Sequence, residues 1–211
     1  MTYRGENVSV AFIVTSAFLE KQHCCGLTVP SFFAHLGAPN GLQLSNDIKQ
    51  ANLKIDGRYL ALLPDTLKEA LNNKVNLRSA SGALVVEWVD GTGQDEEKLL
   101  LKEEDRPVTD YPTLTTVEAV VRTRINSEWS TRGVHMIDPQ QTYIDVKVEL
   151  KAGAKLWPGV VLRGTTSIGA DTEIQSGCWI QDTKVGNNVL IKPHSVCDHA
   201  QIDDGCSIGP M

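Results

Sequence analysis

Between Val148 and Ile208 the chain returns to a large apolar residue every six positions: Leu150, Leu156, Leu162, Ile168, Ile174 and Ile180. A step of five then leads to Val185, Ile191 and Cys197, and a second step of five to Ile202 and Ile208. Two positions ahead of each stands a small or β-branched residue, such as Ala154, Val160, Thr166, Thr172, Thr183 or Ser195, with Gly, Asp, Asn and Lys filling the intervals. A helix repeats its buried face every 3.6 residues and a strand every 2, so a beat of six belongs to neither. It fits a chain that turns a corner every six residues and closes three sides into a triangular coil, plugged by the large residue with the compact one beside it. Each coil then buries against the next what it cannot bury alone. The pattern predicts roughly four such coils between about Tyr143 and Ile208. In this register Cys178, Cys197 and Cys206 are packing residues, and Val161 and Trp179 point outward beside the inward Leu162 and Ile180.

A helical period precedes the repeat. In TVEAVVRTRINSEWSTRG, Val117, Val121, Ile125 and Trp129 recur every four residues, Thr115-x-x-Glu118 offers a capping box, and Gly133 is placed to stop the helix. The spacing predicts one amphipathic linker helix, with Glu118 able to pair with Arg122 across a turn and with Arg122, Arg124 and Arg132 on a solvated face.

Residues 1–107 carry the mixed signals of an α/β region. LKIDGRYLALL holds a DG turn between apolar runs and predicts a hairpin. PDTLKEALNN opens at Pro64, contains the capping pattern Thr66-x-x-Glu69 and sets Leu67, Ala70 and Leu71 on one helical face. ALVVEWVDGTGQDEEKLLLK predicts two strands joined by a Gly-rich acidic loop. The acidic run QDEEKLLLKEEDRP lacks the spaced carboxylates of a calcium loop and is expected to be a solvated rim or linker at a domain boundary. The expected organisation is an α/β region at 1–107, a linker helix at 108–133 and a coiled all-β region at 134–211.

Composition narrows the functional classes. A net charge of -6, spread evenly along 211 residues, provides no basic stripe for nucleic acid. No segment approaches the roughly 20 apolar residues of a membrane span. The run VSVAFIVTSAFL is apolar, but Glu6 and a single Arg4 make a poor signal-peptide start and no small-x-small cleavage site follows. The five cysteines, including the adjacent Cys24 and Cys25, show no CxxC or Cys/His spacing, so a reduced, cytoplasmic setting without a metal centre is expected.

Hexads this regular resemble the left-handed parallel β-helix of the hexapeptide-repeat superfamily. More narrowly, VTDYPTLTTVEAVVRTRIN, GVHMIDPQQTYIDVKVEL, WPGVVLRGTTSIGADTEI and VLIKPHSV resemble the linker helix and early coils of a bacterial bifunctional family that makes UDP-N-acetylglucosamine. That family joins N-acetylglucosamine-1-phosphate uridyltransferase to glucosamine-1-phosphate acetyltransferase. The resemblance covers about residues 108–211 and implies a left-handed β-helix that assembles as a homotrimer, with magnesium and acetyl-CoA as the family's cofactors and a sugar phosphate or nucleotide sugar as ligand.

Two departures limit what carries over. The family's phosphate-binding loop, of the form LAAGxGTRM, has no counterpart in residues 1–107, and the family's magnesium-binding Asn of a VND motif is replaced in Val108, Thr109, Asp110 by Thr109. The acetyl-transfer contacts come from coils later in the family than the segment resembling IGP, at which this sequence ends. Neither cofactor is therefore assigned to residues here. The leading expectation is a trimerising β-helix scaffold segment of such an enzyme's relative, inactive alone. Two alternatives stand beside it: an acyl-CoA-dependent sugar acyltransferase with a site between β-helices and His194 as general base, and a non-catalytic assembly module. His194, in KPHS next to the inward Ser195, is the one catalytic candidate, while His199 and His135 are weaker.

Overall fold

The computed structural model describes residues 9–13, 23–24, 27–28, 43–44, 51, 53–60, 64–89, 94–99 and 106–210. The chain divides into two compact units, Met1–Val120 and Val121–Met211.

The first unit holds a six-stranded sheet. Its strands are β1 (Ser9–Ile13), β4 (Gln43–Leu44), β5 (Leu53–Asp56), β6 (Val75–Arg78), β7 (Leu84–Trp88) and β8 (Gln94–Leu99), and β2 (His23–Cys24) and β3 (Leu27–Thr28) form a separate antiparallel pair. The spatial order is β4-β1-β5-β7-β6-β8, parallel through β4, β1 and β5, antiparallel at β7, and parallel again between β6 and β8. Leu53, Ile55, Leu77 and Val86 supply its buried side chains, and the helix α1 (Pro64–Asn73) adds Leu67 and Ala70. This helix starts two residues ahead of Thr66, with Pro64 in the first turn, where its missing N–H costs no hydrogen bond.

Two expectations change here. LKIDGR does not form a local hairpin: the antiparallel neighbour of β5 is β7, with Leu53 opposite Trp88 and Ile55 opposite Val86. Across the turn, Asp56 instead clamps Arg58 through a 2.6 Å ion pair, which holds the guanidinium pKa above its ordinary value. Part of the acidic run, Gln94–Leu99, is the strand β8 rather than a linker; residues 100–105 lie outside the described residues, as does Cys25.

Helix α2 spans Tyr111–Thr131 and begins four residues ahead of Thr115. Its start is set by Asp110, whose carboxylate accepts from the Thr113 N–H at 2.9 Å and the Thr113 hydroxyl at 2.7 Å. The Thr113 hydroxyl oxygen in turn accepts from the Asp110 N–H at 3.1 Å. Thr113 thus takes the reciprocal position that Glu occupies in the usual capping box. These bonds hold the Asp110 carboxyl below its ordinary range, first through the hydroxyl and then through the backbone N–H. The helix stops where expected. Gly133, at φ 91°, lets its N–H reach Ser130 C=O and the Val134 N–H reach Trp129 C=O, both at 3.1 Å, which is a Schellman motif.

The second unit is a parallel β-helix of hexapeptide repeats, of the left-handed kind that the resemblance implies, with about four turns. Its strands stack in three columns, and every rung pairs in register with the next: Ile144, Leu162, Ile180 and Cys197 in one column, and Leu150, Ile168, Val185 and Ile202 in another. The third column runs Met136, Leu156, Ile174, Ile191 and Ile208. The stack therefore begins at His135–Met136, before the predicted start at Tyr143. The step from Met136 to Ile144 is eight rather than six, and a 3-10 turn, Pro139–Gln141, capped by Asp138, takes up the excess.

The small positions explain their own chemistry. Thr166, Thr172 and Thr183 are fully buried, yet each hydroxyl is used twice. Thr183 donates to Gln181 C=O at 2.7 Å and accepts from the Ala200 N–H one rung on at 3.2 Å; Thr166 does the same between Arg163 C=O and the Thr183 N–H. A valine of equal shape would leave buried backbone groups unpaired. Cys178 donates to Lys192 C=O, and burial raises the thiol pKa of both Cys178 and Cys197. Such thiols are packing groups rather than nucleophiles.

Candidate functional site

The corners between columns place the chemically interesting side chains. His194 occupies one with φ 58°, its N–H bonded to Ser176 C=O at 3.0 Å. The ring is exposed and lies against Gly177 of the previous rung, where a Cβ would meet Nδ1. His199 occupies the next corner at φ 48°. Its Nδ1 sits 2.6 Å from Asp198 and its Nε2 3.8 Å from Asp182, on a side chain 71% exposed. His135 lies on the first rung, in a different column. The three histidines are thus not gathered into one site.

Asp182 looks inward to the backbone. It accepts from the Thr165 N–H at 2.9 Å and the Thr165 hydroxyl at 3.1 Å, and these bonds, led by the backbone one, lower its pKa with a smaller contribution from His199. Asp145 holds the Gly164 N–H at 3.1 Å in the same corner, and Asp204 holds the Asn187 N–H at 2.7 Å in another. These carboxylates tie successive rungs together.

The motif residues before the coils also prove architectural. Val108 is buried, the Thr109 N–H bonds to Thr113 at 3.0 Å, and the Asp110 carboxylate is engaged by the helix cap. A magnesium ion would have to displace that cap to use Asp110, so these residues do not fit the family's metal site. Among the described residues no group of three or more His, Cys, Asp or Glu is placed to hold a metal ion. In RIN, Asn126 is buried against the first coil, where its amide donates to Pro139 C=O at 2.6 Å and Thr142 C=O at 3.0 Å. The role of this Asn is not legible in the local sequence, because its partners lie 13 and 16 residues away.

One face differs from the other two. The outward residues beside Ile144, Leu162, Ile180 and Cys197 are Tyr143, Val161, Trp179 and Val196, stacked in register. Tyr143, Trp179 and Val196 are 46%, 39% and 57% exposed, a large open area for apolar side chains. The corresponding residues in the Leu150 column are Glu149, Ser167, Lys184 and Gln201. Val161 and Trp179 point outward as the hexad register predicted; Tyr143 and Val196, which stand one rung to either side of them, extend the stripe.

No protein-family model matches the chain. Among curated proteins, the bifunctional protein GlmU of Trichlorobacter lovleyi is 38% identical over 104 residues, covering 49% of this chain and 23% of that protein. Residues 108–211 are GlmU-like. Bifunctional protein GlmU of Streptococcus gordonii is 35% identical over 68% of this chain and 32% of its own length, and that of Streptococcus agalactiae 31% identical over 79% and 37%. Matches of that length exceed residues 108–211, so GlmU similarity extends into the first unit. The chain spans between 23% and 37% of the length of these three relatives. No described helix is long and apolar enough to cross a membrane.

Proposed function

We propose that this chain is a β-helix scaffold segment of a relative of the enzyme that makes UDP-N-acetylglucosamine, with its coils serving homo-oligomeric assembly and the chain by itself catalysing neither half-reaction. A trimer in the cytoplasm, with a sugar phosphate or nucleotide sugar as any ligand, is the form the family resemblance favours. On this reading residues 1–107 are an α/β region of unassigned function, 108–133 the linker helix and 134–211 the scaffold.

The observation that carries the reading is the GlmU similarity over a segment whose side chains are committed to packing. Uridyl transfer requires a phosphate cradle and a cation at the transferring phosphorus, whereas Val108, Thr109 and Asp110 begin a helix. Acetyl transfer requires an oriented base in a pocket that positions the amine, whereas His194 stands exposed on a corner.

The test is a pair of assays on the purified chain: UTP with N-acetylglucosamine-1-phosphate, and acetyl-CoA with glucosamine-1-phosphate. No turnover above background is expected in either. Acetyl transfer within tenfold of an intact GlmU, abolished by His194→Ala, would replace the scaffold reading with the acyltransferase one.

A further inference from the structure

We propose that the segment Val108–Thr113, at which the resembled family holds magnesium, is in this chain a lock that excludes a cation: a hydrogen-bonded cap starts helix α2, and Arg58 is the resident positive charge beside it. The inference concerns the first unit and does not depend on assembly.

The oxygens of the segment are already committed. The Thr113 hydroxyl accepts the N–H groups of Thr109 and Asp110 at 3.0 and 3.1 Å. It shares its own proton between the Asp110 carbonyl at 3.0 Å and Asp110 Oδ1 at 2.7 Å. One proton and two lone pairs are all that a hydroxyl has. Asp110 Oδ1 also accepts the Thr113 N–H at 2.9 Å, so a bidentate grip on a metal ion would break the cap. Magnesium requires near-octahedral oxygen geometry and is usually held by one or two carboxylates. Oδ2 of Asp110 is a single outward oxygen, and it stands at the start of a 21-residue helix. A helix N-terminus carries about half a positive charge, which favours a carboxylate and repels a cation.

A second carboxylate nearby is also taken. The Val108 N–H donates to Arg58 C=O at 2.8 Å, and the Val108 side chain is buried. The segment thus runs beside the end of β5, where Asp56 and Arg58 lie. The Arg58 guanidinium grips Asp56 from Nε at 3.1 and 3.0 Å and from Nη2 at 2.6 Å. The Asp56 side chain is only 12% exposed, so its charge is balanced within the chain and largely hidden from ions in solution. In a carboxylate site a divalent cation supplies positive charge and orders the backbone around it. Here Arg58 does the first and Thr113 the second.

The experiment is manganese binding to the full chain, followed by calorimetry and by paramagnetic broadening of amide resonances, with melts in magnesium and in EDTA. The wild type is expected to show no selective broadening across 109–113 and the same melt in both solutions. Arg58→Gln, which leaves Asp56 unbalanced, should raise manganese affinity by about tenfold, since ligand charge sets affinity in oxygen sites. Adding Asp56→Asn should abolish the gain, and Arg58→Lys, which keeps the charge, should show none. Thr113→Val, which removes the hydroxyl and keeps the shape, should lower the melt and speed amide exchange across 111–114. Wild-type broadening at 109–113 with that exchange still slow would show cap and cation coexisting and overturn the exclusion, a result that needs no variant to fold. No gain in a folded Arg58→Gln chain would overturn the role of Arg58, and unchanged exchange in Thr113→Val would overturn the lock. Manganese bound at the segment without uridyl transfer would overturn this inference and leave the scaffold reading standing.

Discussion

At the scale of single residues, the β-helix works by giving each polar group an assignment in the next rung. Asp182 and Asp204 show the consequence for pH. Both have folded pKa values depressed by backbone N–H donors, from Thr165 and Asn187 respectively. A depressed carboxylate contributes stability above its unfolded pKa of about 3.9 and loses it as pH falls through the lower folded value. The melting temperature should therefore hold between pH 7 and about 5 and decline below about 4. Replacing both residues by Asn keeps an acceptor but removes the charge, so the variant should melt lower at neutral pH and decline less steeply in acid. A parallel acid decline in the two proteins would show that these corners are not responsible. Both side chains are solvated, so the effect is a modest one.

The elements show how a helix can be part of a solenoid. Helix α2 sends Ile125 and Trp129 onto the apolar core of the first coil. Asn126 gives its amide to two carbonyls there, on a rung with no earlier coil to supply donors. The helix thus covers the start of the stack as a cap covers a repeat array. Its Oδ1 is buried without a partner, so the residue is kept for its donors rather than for a complete set of bonds. Asn126→Ala should cost about 2 kcal/mol or more, since Pro139 and Thr142 would be left with unmet carbonyls. Hydrogen exchange should accelerate across 121–131 and leave 161–181 unchanged. Uniform acceleration through every coil would instead mean that the amide supports the whole stack.

For the whole molecule, stability is a sum over neighbouring rungs, so its distribution matters more than its total. Interior rungs are sealed: Leu162, Ile174 and Ile180 have no exposed surface. The last described rung is looser, with Ile208 and Cys206 only partly buried against the core. Amide protection should accordingly fall from Val161–Gln181 toward Gln201–Ile208 in denaturant-dependent exchange. A single shared opening energy across all coils would show that the stack unfolds as one unit.

Much of the second unit was legible in advance because a solenoid writes its geometry into the sequence. One inward residue per side, repeated every six positions, is a local rule, and Leu150 through Ile202 obeyed it down to the two five-residue steps. The same register placed Val161 and Trp179 outside. What the chain order alone did not reveal were contacts between residues close in space and distant in sequence. The partner of β5 is β7 rather than its own turn, because sheet pairing is decided by which strand packs alongside. Helix α2 begins directly after Asp110 because Thr113 can reciprocate its cap, a pairing that lies outside the Ser/Thr-to-Glu pattern. The histidines illustrate the division most directly. Sequence marked His194 as a candidate by residue type, while the stacking of rungs decided that it lies on a corner against Gly177 with its ring exposed. Periodicity determines which way a side chain points, but only the closed coil determines which side chains meet.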